Sequence, residues 1–62
     1  MHTTGKDLRD ERTLAGLSVQ AMAEAMSVSR TTFWTIEKSG FVKPQTAQAY
    51  RDAIARLTKA AA

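Results

Sequence analysis

The chain of 62 residues contains no cysteine, a single proline and no long hydrophobic run. Without cysteine there is no disulfide and no thiolate metal site, which fits a reducing compartment such as the cytoplasm. No apolar stretch approaches the ~20 residues of a membrane-spanning helix, and the polar start MHTTGKDLRDER lacks the apolar core of a signal peptide. We therefore expect a cytoplasmic protein that does not bind a membrane.

The groups from which most active sites are built are also scarce. The single histidine, His2, lies near the start of the chain, and the sequence shows no carboxylate pair and no glycine-rich phosphate loop. We interpret His2 as inert rather than as a metal ligand. The sequence thus predicts no catalytic residue, no metal site and no cofactor, and an enzyme is not the expected function.

Size and charge allow one small, basic domain. A chain of 62 residues is near the lower limit for a hydrophobic core without disulfides or metals. Nine lysines and arginines against six acidic residues give a net charge of +3. Such a balance permits binding to nucleic acid or another acidic surface, but many small domains are mildly basic without either. The placement of the charges is more informative than their sum.

Apolar spacing and capping residues predict four helices. The first covers residues 6–15, with Thr4 and Asp7 arranged as a capping box before it and Gly16 after its end. The next two cover residues 19–26 and 30–38, after the N-caps Ser18 and Ser29, and the fourth covers residues 46–59. We predict a single domain over residues 1–62, with flexible tails at 1–5 and 60–62.

Apolar residues spaced three or four apart indicate which side of each helix is buried. The predicted core consists of Leu8, Leu17, Met22, Ala23, Met26, Val28, Phe33, Ile36, Tyr50, Ala53, Ile54 and Leu57. Helices two and three are too short to bury much alone, so they must pack on each other and on a third element. That leaves the outer face of helix three free, as in a helix-turn-helix whose second helix can enter a DNA major groove.

Several spaced motifs then share one pattern. They are Leu8-Arg9 followed by Arg12, Gly16-Leu17-Ser18, Met22-Ala23-Glu24, Met26-Ser27-Val28-Ser29-Arg30 and Ile36-Glu37. Together they resemble the lambda-repressor/Cro-type (XRE) DNA-binding domains over roughly residues 8–57. The resemblance implies an all-α fold: a compact four-helix lambda-repressor-like domain with the helix-turn-helix at helices two and three.

The resemblance also implies which residues meet double-stranded DNA. Base edges would face Arg30, Thr31 and Thr35, whereas the phosphate contacts would come from Ser18, Gln20, Lys38 and Lys43. Arg30 could hold a guanine through two hydrogen bonds, a contact worth roughly 1–3 kcal/mol of discrimination. The alternatives are a phosphate contact or a solvated charge for Arg30, and local capping for the threonines at the helix start.

Trp34 should also point outward, because its neighbour Phe33 points inward together with Ile36. It could pack on a deoxyribose or a thymine methyl, contact a protein partner, or fold over the edge of the core. A second expectation from the family pattern is a partly buried ion pair between Arg12 and Glu37, which ties helix one to helix three. Its alternative is a pair of ordinary surface charges.

Four features depart from the family pattern. Val19 stands where a glutamine commonly braces the first base-reading residue, and the neighbouring Gln20 replaces it only in part. Ser27 replaces the turn glycine. The segment 37–44 is one residue longer than usual. A short fifth helix after Leu57 is not expected, so the family's mode of dimerisation is not carried over.

The leading hypothesis is a DNA-binding transcription regulator, a small phage- or mobile-element-type repressor or autoregulator. It would bind as a homodimer to half-sites about 34–36 Å apart. The second hypothesis is a protein-binding module on the same scaffold, such as an antitoxin or an inhibitor of another regulator. Trp34, Leu14 and the valine at position 19 favour this alternative.

Overall fold

The computed structural model describes residues 2–61, and their side chains as far as residue 59. The chain forms four helices, α1 (Gly5–Leu14), α2 (Val19–Met26), α3 (Arg30–Lys38) and α4 (Pro44–Ala61). The predicted all-α, four-helix fold class is confirmed, and α2 and α3 have the predicted bounds. Within residues 2–61, no helix is both long and apolar enough to cross a membrane.

Side-chain caps fix where the first three helices begin. Thr4 Oγ1 accepts a hydrogen bond from the Asp7 N–H at 3.1 Å, and the Asp7 carboxylate accepts one from the Thr4 N–H at 3.1 Å. The hydrogen bonds from the Thr4 backbone and side chain lower the pKa of Asp7, because they stabilise the charged carboxylate. Ser18 and Ser29 cap α2 and α3, each accepting a hydrogen bond at 3.1 Å from the N–H three residues later.

Helix α4 is longer than the predicted 46–59. It begins at Pro44, where the missing N–H costs little because the first-turn N–H groups have no partner within a helix. We predicted a flexible tail at residues 60–62, but α4 continues to Ala61, and residue 62 lies outside the described residues.

The predicted flexible tail at residues 1–5 is wrong over residues 3–5, and residue 1 lies outside the described residues. The N–H of Gly5 donates to the carbonyl of Ser39 at 2.7 Å, and the N–H of Val42 donates to the carbonyl of Thr3 at 2.8 Å. These hydrogen bonds tie the start of the chain to the segment between α3 and α4. Local sequence gives no sign of them, since the paired residues are more than thirty positions apart.

Gly5 makes the closest approach between α1 and α3. It is buried, and a Cβ atom added there would collide with the backbone carbonyl groups of Ile36 and Glu37. Only a residue without a side chain lets α1 begin directly against the last turn of α3.

The hydrophobic core lies among all four helices. Its predicted members Leu8, Met22, Ala23, Phe33, Tyr50 and Ala53 are buried, while Leu17, Met26, Val28, Ile36, Ile54 and Leu57 are partly buried against them. The rings of Phe33 and Tyr50 stack with centroids 5.3 Å apart. Val42 and Ala47 are buried as well, although they were not in the predicted core. Val42 was missed because it lies between two helices, where no helical period applies.

Ser27 ends α2 in the left-handed conformation, with φ 59° and ψ 40°. We expect Ser27→Gly to raise the free energy of unfolding by about 0.5–1 kcal/mol. Left-handed backbone costs a residue with a Cβ roughly 1–2 kcal/mol, and the greater freedom of glycine in the unfolded chain offsets about half of this gain. Urea denaturation followed by circular dichroism measures the change.

The reverse substitution provides a control for Ser27→Gly. Gly16 has φ +73° and open space around its Cβ position, so Gly16→Ala should lower stability by about 1 kcal/mol through backbone strain alone. A Ser27→Gly protein no more stable than the parent would contradict the assignment of strain to Ser27.

Candidate nucleic-acid interface

The outward side of α3 is open to solvent. Arg30, Thr31, Trp34, Thr35 and Lys38 are all exposed, as predicted, whereas Phe33 and Glu37 face inward and Ile36 is half-buried. At 3.6 residues per turn these five exposed positions share one broad face of the helix. The face therefore combines two cations, two hydroxyls and one aromatic ring.

The threonine hydroxyls differ in how they are used. Thr35 Oγ1 donates to the carbonyl of Thr31 at 3.0 Å, so its methyl group is the part left for an outside contact. Thr32 takes part in the capping of α3, since Ser29 Oγ donates to its Oγ1 at 3.0 Å. Among the hydrogen bonds of the described residues, none uses the Thr31 hydroxyl, which remains available to a ligand.

The predicted ion pair between Arg12 and Glu37 is present. Arg12 Nε donates to Glu37 Oε2 at 2.7 Å, and only 13% and 5% of the two side chains are exposed. Arg12 Nη1 also donates to the carbonyl of Leu17 at 2.9 Å, so one guanidinium joins α1, the α1–α2 turn and α3. The hydrogen bond to Glu37 raises the pKa of Arg12 above its usual value. This pair orients α3 against the rest of the domain.

Tyr50 is a third member of this cluster, which sequence reasoning assigned only to the core. Its hydroxyl donates to Glu37 Oε2 at 2.5 Å, linking α4 to α3. Burial, followed by the hydrogen bond to Glu37, raises the pKa of Tyr50 well above its usual value, so the phenol remains a donor at neutral pH. Within the described residues, no buried side-chain nitrogen or oxygen lacks a hydrogen-bond partner, and this includes the atoms of the cluster.

The start of α2 lies beside α3. Ser18 Oγ accepts the Ala21 N–H as the α2 cap, so the N–H groups of Val19 and Gln20 are the first-turn donors left for a phosphate. Gln20 is exposed. Val19 is half-buried and lines a groove together with Trp34 and Lys38, so the position of the missing glutamine faces the middle of α3.

Trp34 is 57% exposed, which excludes a place in the buried core. The Lys38 ammonium lies over its ring, with Nζ 4.0 Å from the ring centroid. A cation over an aromatic face gains about 0.5–1 kcal/mol at an exposed site. Lys38, a predicted phosphate contact, is therefore held at the surface of α3 by Trp34.

We call the depression next to this pair the tryptophan groove. It has a volume of about 230 Å³ and is lined by Arg9, Arg12, Val19, Trp34, Glu37 and Lys38. Arg9 was not predicted as a site residue. Its spacing could have shown it, because residues three apart share a helix face and Arg12 was already expected to reach α3.

Lys43 flanks the opposite side of α3. It is exposed just before α4 and lines a second depression, of about 290 Å³, together with Thr35, Ile36 and Phe41. Phe41 is 58% exposed, another feature that sequence reasoning did not identify. Of the predicted phosphate contacts, Lys38 and Lys43 thus line depressions on opposite sides of α3, and Ser18 directly precedes Val19 of the tryptophan groove.

Three cations near α3 are not held by carboxylates. Two of the three carboxylates of α1 form ion pairs with other cations, Asp10 with Lys6 at 3.0 Å and Glu11 with Arg51 at 2.8 Å, and the third, Asp7, takes part in the α1 cap. The only carboxylate of α3 is the buried Glu37. Within residues 2–61, Arg9, Arg30 and Lys43 take part in none of the salt bridges. An anionic ligand could therefore bind these cations without breaking a salt bridge.

Comparisons of the chain with protein-family models, with curated proteins and with solved structures gave no match.

Proposed function

We propose that the protein is a sequence-specific regulator of transcription that binds double-stranded DNA with α3 in the major groove. The observation that carries the proposal is the open side of α3, where Arg30, Thr31 and Thr35 are exposed and the one carboxylate of the helix, Glu37, is buried. The resemblance of residues 8–57 to the lambda-repressor/Cro-type domains supports it. In this role α3 presents its first turn and the turn above it to base edges.

Each exposed residue of α3 has a chemistry suited to this task. The Arg30 guanidinium binds guanine O6 and N7, the Thr31 hydroxyl binds a base edge, and the Thr35 methyl packs on a thymine methyl. Ser18, Gln20, Lys38 and Lys43 hold the phosphates on either side and set the register of α3. The Arg12–Glu37–Tyr50 cluster keeps α3 at a fixed angle to α1 and α4.

The rest of the proposal follows from this role. The protein acts in the cytoplasm as a small repressor or autoregulator of the phage or mobile-element type, and binds an inverted repeat as a homodimer. It uses no cofactor or metal and is not an enzyme.

Selection of bound sequences from a random library of DNA duplexes tests the proposal. We expect enrichment of an inverted repeat whose half-sites contain a G·C pair, together with affinity that falls steeply as salt rises. The proposal would be refuted if no sequence were enriched, even in dilute buffer.

Arg30→Ala should then lose most of the preference at that G·C pair. The expected cost is roughly 1–3 kcal/mol of discrimination, or about 5- to 150-fold in relative affinity. Lys59→Ala is the matched control, because it removes one exposed cation from the last turn of α4. Competition binding between the selected duplex and its single-base variants measures the change. Equal losses in both proteins would mean that Arg30 contributes only charge.

A protein-binding module remains the second candidate, and one observation favours it. Leu14 is 91% exposed at the end of α1, and Trp34 and Phe41 are exposed as well. Large apolar side chains in the open are typical of contact sites for a partner, although single ones are common on any surface. An antitoxin or inhibitor of this kind would co-purify with a partner protein. The Leu14→Ser variant would no longer co-purify with that partner, while its affinity for DNA would be unchanged.

A further inference from the structure

The tryptophan groove has an apolar wall and cations at its edge. Val19 and Trp34 supply the apolar surface, and Arg9 and Lys38 supply exposed positive charge. The other two lining residues, Arg12 and Glu37, neutralise each other through their ion pair. The groove therefore suits a ligand with a compact apolar body and an anionic end.

Its position connects it to the open side of α3. Trp34 and Lys38 belong both to the groove and to the exposed face that carries Arg30 and Thr31. A duplex lying on that face would bring one of its strands alongside the groove. Charge complementarity favours the backbone of that strand over any neutral or cationic occupant.

We propose that the tryptophan groove holds one deoxyribose-phosphate unit of the bound duplex. The sugar packs on Trp34 and Val19, and the phosphate is bound by Lys38 and Arg9. This inference rests on the proposed function, and it adds to the interface a helix, α1, to which no DNA contact was assigned from the sequence. It gives Trp34 two roles, apolar contact with the sugar and positioning of Lys38.

The positioning role follows from the cation–ring geometry. A lysine side chain normally loses rotamer freedom when it binds a phosphate, which weakens the binding. Here the ammonium is already 4.0 Å from the Trp34 centroid before any ligand arrives. In the free protein the Lys38 side chain is therefore already partly ordered, and binding a phosphate restricts it less.

One departure from the family pattern lies in this groove, since valine replaces the common glutamine at position 19. A valine cannot donate a hydrogen bond to a phosphate, so the anchoring contact at this place is lost. Apolar packing on the sugar, together with Arg9 and Lys38, replaces it.

The salt dependence of duplex binding tests the inference. Using the full chain and a duplex selected as above, affinities are measured between about 50 and 200 mM salt. Arg9→Gln and Lys38→Gln should each reduce the slope of log affinity against log salt by about 0.9, and the double variant by about 1.8. Trp34→Ala should bind about tenfold more weakly, while Trp34→Phe retains most of the affinity because a ring still faces the cation and the sugar.

Lys59→Gln serves as the charge-matched control. Arg56 donates to the carbonyl of Ala25 at 2.9 Å, which places this part of α4 beside the end of α2 opposite to Val19. Lys59→Gln should therefore leave the slope unchanged. Trp34 is the only tryptophan, so its fluorescence should also change when the duplex binds. Circular dichroism verifies that every variant is folded.

The outcomes separate the two proposals. If the parent protein prefers a duplex but the Arg9 and Trp34 variants keep its affinity and slope, the groove proposal alone is wrong. If the parent binds no duplex, the proposed function fails as well. Should poly-glutamate bind the parent as tightly as the duplex at equal salt, and the same variants lose it, the groove is a site for an acidic peptide and our assignment is overturned.

Discussion

Replacing Gly5 with alanine is expected to lower the free energy of unfolding by about 3 kcal/mol. The added methyl group would overlap the carbonyl groups of Ile36 and Glu37, which belong to the backbone of α3 and cannot rotate away. Helix α1 would have to withdraw and weaken the hydrogen bond from Gly5 N–H to the Ser39 carbonyl. A domain of 62 residues has a total stability of about 3–9 kcal/mol, so the variant should lose between about a third and all of its stability.

Gly40 provides the matched control for this change. Nothing lies within 4 Å of a Cβ atom built on Gly40, and its φ is not in the left-handed range. Gly40→Ala should therefore change stability by no more than about 0.5 kcal/mol. Thermal and urea denaturation of both variants measure the two changes in the free energy of unfolding. Similar stabilities for Gly5→Ala and Gly40→Ala would show that α1 does not begin against α3 as described.

Glu37→Gln is expected to cost about 3–5 kcal/mol, the second large effect. The carboxylate binds Arg12 and accepts the Tyr50 hydroxyl, and 5% of its side chain is exposed. An amide keeps the shape but removes the negative charge, and one of its two ends is a donor that cannot accept from Arg12. The Arg12 guanidinium would then remain mostly buried without a counter-charge. Urea denaturation measures the loss.

Two further variants show that this loss arises from burial of the pair. Glu11→Gln removes the same charge from the half-exposed pair with Arg51 and should cost about 0–1 kcal/mol. The double variant Arg12→Met and Glu37→Leu should recover much of the stability, because no buried charge is left alone. A small loss in Glu37→Gln, equal to that in Glu11→Gln, would contradict the structural importance of the cluster.

The helices could be predicted because their signals are local. Thr4, Ser18 and Ser29 each cap a helix through an N–H three residues later, a contact that short sequence motifs reveal. The apolar spacing then identified the buried sides of all four helices. The open side of α3 followed from the same spacing, since Trp34 had to point away once Phe33 and Ile36 pointed inward.

Long-range contacts set the limit of that prediction. The pairing of Arg12 with Glu37 was available only through a family resemblance, and nothing in the spacing showed that Tyr50 donates to the same carboxylate. Gly5 looked like part of a polar tail because its neighbour in space is the end of α3. Arg9 differs from these, because its spacing from Arg12 was a usable local signal that the prediction overlooked, and the groove brings it together with α2 and α3.

The hydroxyl of Tyr50 has a consequence for how the protein is made. During synthesis α3 leaves the ribosome before α4, so a nascent chain that ends ahead of Tyr50 contains Glu37 without its phenol donor and Phe33 without its stacking ring. The first three helices therefore cannot complete the hydrophobic core without α4. Completion of the fold therefore waits for the last third of the polypeptide to emerge.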